Sequence, residues 1–242
     1  GTKSKAQSHT GLLQPYDGKH IAYKISLADY AKLEAGQPVI VNERSGKDGR
    51  GLVIQDIDAS PVTCMEQIRA LGNYKKVVPK IKSVDVYENI NFPNGTTKSY
   101  AEFSVGISLL TFNYFLALTF EPQYYTVTWT LDYRYSSDFD DNTGHWQVMP
   151  HPTKSGWSRV VYSTEVKVPS WIPEFVLTFL TKTALVESTA WVKKESEKID
   201  KDSKGARSYS WNLPDLSSCF IVDSDSARYE TRCIEEAVRG HG

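Results

Sequence analysis

Few side chains in this 242-residue chain have the types and spacing that chemistry needs. In DFDDNTGHW, Asp138, Asp140 and Asn142 stand at the first, third and fifth places of a calcium loop. Such a loop also needs a glycine sixth and an acidic ligand twelfth. Thr143 and Met149 occupy those places, so the stretch reads as a solvated hairpin tip. Of His9, His20, His145, His151 and His241, only His145 and His151 are near each other, and no H-x-x-x-H occurs. They read as accidental neighbours near the start of one strand, and no metal site is expected. SGKDGRG lies between two predicted strands and reads as a hairpin turn; no G-x-S-x-G, P-loop or dinucleotide fingerprint occurs. Asn94-Gly95-Thr96 is a glycosylation sequon, meaningful only in a secreted protein. Glu187 is the polar group that stands out. On a helical wheel it falls beside Thr183 inside a wide apolar arc, where a carboxylate is costly unless paired. Arg134, Arg159 or the polar head of a ligand could pair with it, or it could emerge at an exposed turn.

The elements that must position these residues change period along the chain. Residues 1–19 are polar and read as a flexible arm. Ser26 and Gly36 bracket a short helix, Pro38–Asn42 reads as a strand, and LVIQDID as another. Ser60 then caps a helix with Pro61 at its first position, and Pro79 forces Val78 out of the helical state. From there the period is two. Asn94-Gly95 marks a hairpin; Ala101, Phe103, Val105, Ile107 and Leu109 share one face of a strand. Phe112, Tyr114, Leu116, Leu118 and Phe120 share a face of the next. In YTVTWTLDYRY, Tyr125, Val127, Trp129, Leu131, Tyr133 and Tyr135 oppose Thr126, Thr128, Thr130, Asp132 and Arg134, which predicts an antiparallel sheet with one dry and one wet face. GHWQVMPH and GWSRVVYSTEVKV add two strands. After Pro169, WIPEFVLTFLTKTALVESTAWVKKESEKID reads as one long helix whose apolar residues, Phe175, Phe179, Val186 and Ala190 among them, spread over roughly 200°, twice the usual stripe. Residues 200–242 read as an extension that wraps the domain or is partly disordered.

A long twisted sheet curls, and its own side chains cannot fill the hollow. The long helix would lie across that hollow, with the Pro79 kink as its lip. GRGLVIQDIDASPVTCMEQIRALGNYKKVVPKIKSVDVY, YSSDFDDNTGHWQVMP and the terminal helix resemble the START-like (SRPBCC) superfamily, closest to its polyketide cyclase/dehydrase and lipid transport group, which also holds coenzyme Q-binding proteins. The match covers roughly residues 49–195 and rests on pattern, not on catalytic residues. It implies an α+β helix-grip (START/Bet v 1-like) fold: a curved antiparallel sheet around a long C-terminal helix, with an apolar cavity. Members bind or carry lipids, sterols, quinones, pigments or polyketides, and a minority catalyse cyclisation. The domain then spans 20–199, with 20–48 an extension and 49–199 the core. The expected cavity residues are Phe103, Val105, Tyr114, Leu116, Trp129, Leu131, Trp146, Phe179 and Thr183, with Glu187 as polar anchor.

The function expected is binding, and transport, of a hydrophobic small molecule. The alternatives are a cyclase or dehydratase, for which no acid–base pair assembles, and a ligand-free interaction module. No catalytic residue and no cofactor are assigned. A net charge of -1 gives no reason to bind nucleic acid. Lys75, Lys76, Lys80 and Lys82, in NYKKVVPKIK, would be the place for a transient membrane contact, although such runs are commonly just solvated. Cys64, Cys219 and Cys233 form no disulfide framework; Cys64 reads as a small core residue, and pairing of Cys219 with Cys233 stays open. A soluble protein of a reducing compartment, cytoplasmic or organellar, is favoured over a secreted one. The start, Gly1-Thr-Lys-Ser-Lys, lacks an apolar signal core, but a targeting segment could have been trimmed before it.

Overall fold

The computed structural model describes residues 5–21, 23–45, 48–203 and 220–223. β1 (Tyr23–Ser26) runs directly into α1 (Leu27–Glu34), where the Ser26 hydroxyl accepts from Asp29 N at 3.1 Å. β2 (Val39–Ser45) and β3 (Asp48–Ile57) pair as a hairpin. α2 (Pro61–Arg69) follows, capped by the Ser60 hydroxyl accepting from Thr63 N at 3.1 Å. A 3₁₀ turn (Leu71–Asn73) leads into α3 (Tyr74–Val77). Val78 is then extended, and Lys80 takes a left-handed φ of 66°, so the chain kinks sharply at Pro79.

The meander consists of β4 (Ile81–Asn91), β5 (Thr97–Ile107), β6 (Leu110–Glu121), β7 (Thr126–Leu131), β8 (Asp141–Pro150) and β9 (Ser158–Lys167). One antiparallel, curved sheet results, in the order β2-β3-β9-β8-β7-β6-β5-β4. The terminal helix is α4 (Glu174–Thr178), a π turn (Phe179–Thr183) and α5 (Ala184–Ser203). Apart from this sheet, β10 (Phe220–Asp223) pairs in parallel with β1. Cys219 and Cys233, and the rest of 204–219 and 224–242, lie outside the described residues. No described helix is long and apolar enough to cross a membrane.

Four expectations need correction. First, the long helix is not uniform. Leu177 and Leu185 are both buried although eight positions apart, where two α turns take about 7.2 residues. The π turn absorbs the difference and rotates the phase, so an unbroken wheel smears the apolar face; Phe175, Val186 and Ala190 are in fact exposed. Second, β7 stops at Leu131, because the Asp132 carboxylate accepts from Arg134 N and Nε and folds the chain into a turn; Tyr133 and Tyr135 are not strand residues. Third, Leu109 sits in the β5–β6 turn and is 98% exposed.

Fourth, the N-terminal segment is a strap, and the face expected to be wet is covered. Leu12 N and Leu13 N donate to Asp141 Oδ2 at 2.6 and 2.8 Å, and Ile21 N donates to Gln147 Oε1 at 2.9 Å. Thr126, read as solvent-facing, donates its hydroxyl to Gly18 O and is fully buried. β1 and α1 cover more of that face through Ile25 and Leu33, which pack on Val39, Ile54, Met149 and Val161. On the concave side the main core joins α2, the sheet and the Trp191–Val192 turn of α5. The far end of α5 is latched to the β3–α2 junction: Asp200 accepts from Ser60 N and the Thr63 hydroxyl, and Glu197 accepts from Asp58 N.

Candidate functional site

Between the concave face and the terminal helix lies a cavity of about 210 Å³, more than ten times the roughly 15 Å³ that one water needs. Its floor is built by strand alternation: Phe103 from β5, Tyr114 and Leu116 from β6, Trp129 from β7, and Trp146 from β8. Phe179, Leu180, Ala184, Leu185 and Trp191 form the roof, and Tyr74 closes one side. The kink contributes Val78, Pro79, Lys80 and Ile81, which keep exposed surface and so mark the lip.

The rings brace one another instead of collapsing inward. Phe103 stacks on Tyr114 at 5.4 Å, Trp146 packs on Tyr162 at 4.5 Å, and Tyr74 meets Trp191 edge-on at 5.1 Å. Trp129 lies over Gly144, its cross-strand partner; a Cβ there would come 2.3 Å from the indole. That close approach lets Trp129 Nε1 donate to Asn142 Oδ1 at 2.8 Å, which fixes the ring.

One part of the wall is polar. Tyr114, Asn142, Tyr162 and Thr164 come from the sheet, Glu187 and Ser188 from α5. Tyr114 and Tyr162 keep accessible surface while lining the interior, so what they face is the cavity. Burial pushes both phenols up, Tyr162 to about 12, so both remain neutral O–H donors at neutral pH. Among the described residues the Tyr114 hydroxyl and the Glu187 carboxylate have no hydrogen-bond or ion-pair partner. Arg134 is engaged with Asp132 (2.9 Å) and Glu88 (2.8 Å), and Arg159 with Asp56 (2.7 Å), so neither arginine anticipated for Glu187 serves it.

Comparison with solved structures identifies this architecture. A STAR-related lipid transfer protein from Xanthomonas axonopodis matches 65% of this chain over 93% of its own, with a TM-score of 0.52 and 10% identity. A START superfamily protein from Mycobacterium smegmatis matches 66% over 98% (TM-score 0.50, 15% identity). The aromatase/cyclase Zhui from Streptomyces sp. R1128 matches 67% over 96% (TM-score 0.50, 8% identity). The fold is a START-like helix grip. No protein-family model matches the chain, and no curated protein matches it by sequence.

In this helix grip Phe103, Val105, Tyr114, Leu116, Trp129, Trp146, Phe179 and Glu187 stand on the cavity wall. Leu131 is 1% exposed and packed into the core, off the wall, and Thr183 is turned outward by the π turn and exposed. The sequence reading missed Tyr74, Asn142, Tyr162 and Trp191. Tyr162 was legible, since Val160, Tyr162, Thr164 and Val166 share one face of the strand, opposite Arg159, Val161, Ser163 and Glu165. Asn142 was not, because DFDDNTGHW read as a solvated tip. Asp141 and Asn142 are instead buried in β8, and Asp138 Oδ2 accepts from Asn113 N at 2.6 Å. His145 is in mid-strand, bonded to the Tyr23 hydroxyl, while His151 lies beyond the strand end against Asp56.

Proposed function

We propose that the protein binds and carries a hydrophobic small molecule whose polar end is a carbonyl or hydroxyl oxygen. The observation that carries this reading is an aromatic cavity whose wall keeps one uncommitted donor, Tyr114, and one uncommitted acceptor, Glu187. Apolar burial would supply affinity, at about 25 cal/mol per Å², while the two polar groups would orient the guest. The lipid transfer protein and the aromatase/cyclase named above support the fold at these identities, and the ligand reading rests on the wall itself.

The end of the molecule near the mouth suits loading from a membrane surface. Leu109 (98% exposed), Trp171 (59%) and Phe175 (49%) project around the cluster of Ile107, Phe112 and Val176 that caps the cavity. Lys75 and Lys76 on α3, Lys80 at the kink and Lys82 on β4 are exposed nearby. Apolar side chains ringed by lysines complement an anionic bilayer. Native mass spectrometry of protein purified without added ligand tests the binding reading. A co-purified apolar molecule, lost on Tyr114→Phe with Glu187→Gln, is the expected result. A clean apo mass, unchanged after incubation with lipids, quinones and sterols, would count against it.

A further inference from the structure

A second cavity, also of about 210 Å³, opens at the other end of the concave face, beneath α2. Its lining differs in kind. Along β5 the inward positions Ala101, Phe103 and Val105 are apolar, but the next two on that face, Ser99 and Thr97, are polar. Their β4 partners are Asn89 and Asn91. Opposite them stands Arg69, the last residue of α2. Its guanidinium lies 3.9 Å over the Phe120 ring, which holds the planar fork in place. Its hydrogen bond is one long contact, Nη2 to Thr97 Oγ1 at 3.5 Å, and no carboxylate lies within ion-pair distance among the described residues. A guanidinium has five N–H donors, so this one, exposed at the cavity's edge and seated on Phe120, is largely uncommitted. Partial burial holds it below the usual arginine range, and the nearby Tyr125 and Glu66 offset that only in part. Leu118 lines both cavities, so the two adjoin at that side chain.

We propose that the second cavity is a subsite for an anionic oxygen group, carboxylate or phosphate, at the end of an amphiphile whose chain passes Leu118 into the main cavity. Arg69 would bind the head through its fork, and Thr97, Asn89 and Asn91 would supply neutral hydrogen bonds around it, with Ser99 donating to Asn89 Oδ1 at 2.7 Å and so leaving the amide N–H groups of Asn89 free. The inference rests on the main cavity holding an apolar guest.

Fluorescence titration with 11-(dansylamino)undecanoic acid and its methyl ester tests it. A charge-assisted bond predicts the acid to bind at least about tenfold tighter than the ester. Arg69→Met keeps the stem on Phe120 but removes the charge; it should bring acid and ester to within about twofold and leave the ester unchanged. N-phenyl-1-naphthylamine, a neutral probe of the main cavity, should bind wild type and Arg69→Met alike, since Arg69 lines only the second cavity. Equal affinity of acid and ester, or an acid advantage that survives Arg69→Met, would overturn the subsite and leave the carrier reading standing. Failure of all three probes would remove both. Inorganic phosphate that binds the wild type and not Arg69→Met, with acid and ester equal, would make this a free-anion site and overturn the amphiphile.

Discussion

Asp56 shows how much of this fold depends on single buried groups. Its carboxylate accepts from Arg159 Nε and Nη2 at 2.7 and 2.8 Å and lies 3.0 Å from His151 Nε2, all buried beneath α1. His151 Nδ1 accepts from Thr153 N and Lys154 N, so its proton sits on Nε2 and is donated to Asp56. Asp56→Ala would take the bidentate carboxylate from the buried guanidinium and should cost about 3–5 kcal/mol in urea unfolding; a loss under about 1 kcal/mol would show the pair to be solvated. His145 makes a different prediction. Burial pushes its imidazole down to about 3. Unfolded chains take up that proton near pH 6.5 and the folded protein does not, so the unfolded state binds more protons and stability falls as pH drops below about 6.5. The slope from this residue is on the order of 1.4 kcal/mol per pH unit until the folded state also protonates near 3. Unfolding midpoints between pH 6.5 and 5 should lose most of that slope in His145→Gln; an unchanged slope would place the effect elsewhere. Glu187 could be singled out in the sequence because a carboxylate inside an apolar arc is conspicuous. Asn142 could not, because its role depends on Trp129, its hydrogen-bond partner on the neighbouring strand.

At the scale of elements, the alternating strands, the Ser60–Pro61 helix start and the Pro79 kink were readable because each rests on local rules of period and backbone geometry. The π turn and the strap were not. A wide apolar arc fits a helix touched on several sides as well as one that shifts phase midway. The strap's segment is polar because it pairs with polar groups on the sheet: Asp141, Gln147 and Ser163. That exchange of polar for polar leaves no hydrophobic signature. The join between helix and sheet is tight at Gly51 on β3, where a Cβ would come 2.3 Å from Leu185 of α5. Gly51→Ala must therefore displace the Leu185 side chain, and we expect α5 to move outward with it. Overpacking of this kind should cost about 1–3 kcal/mol and widen the cavity; thermal denaturation with wild-type stability would show that Leu185 can step aside freely.

For the whole molecule, two covered faces serve different ends. The strap and α1 seal the convex side, while the concave side is roofed over a space that the protein's own rings frame without filling. The mouth-side surface makes a separate prediction. Sedimentation with phosphatidylserine-containing vesicles should capture the wild type more than pure phosphatidylcholine does, and Leu109→Ser with Trp171→Ser should reduce capture. Replacing Lys80 and Lys82 by glutamine should weaken it by about 1 kcal/mol each. Equal capture by neutral and anionic vesicles would remove the electrostatic part. The central claim is that the chamber under the terminal helix accepts an apolar guest. Titration of N-phenyl-1-naphthylamine into wild type and Ala184→Trp, whose indole would fill the chamber from the roof, tests it most directly. The account predicts saturable one-to-one binding by the wild type, with energy transfer from the wall tryptophans, and its loss in Ala184→Trp at unchanged circular dichroism. No saturable binding, or equal binding by the filled variant, would contradict it.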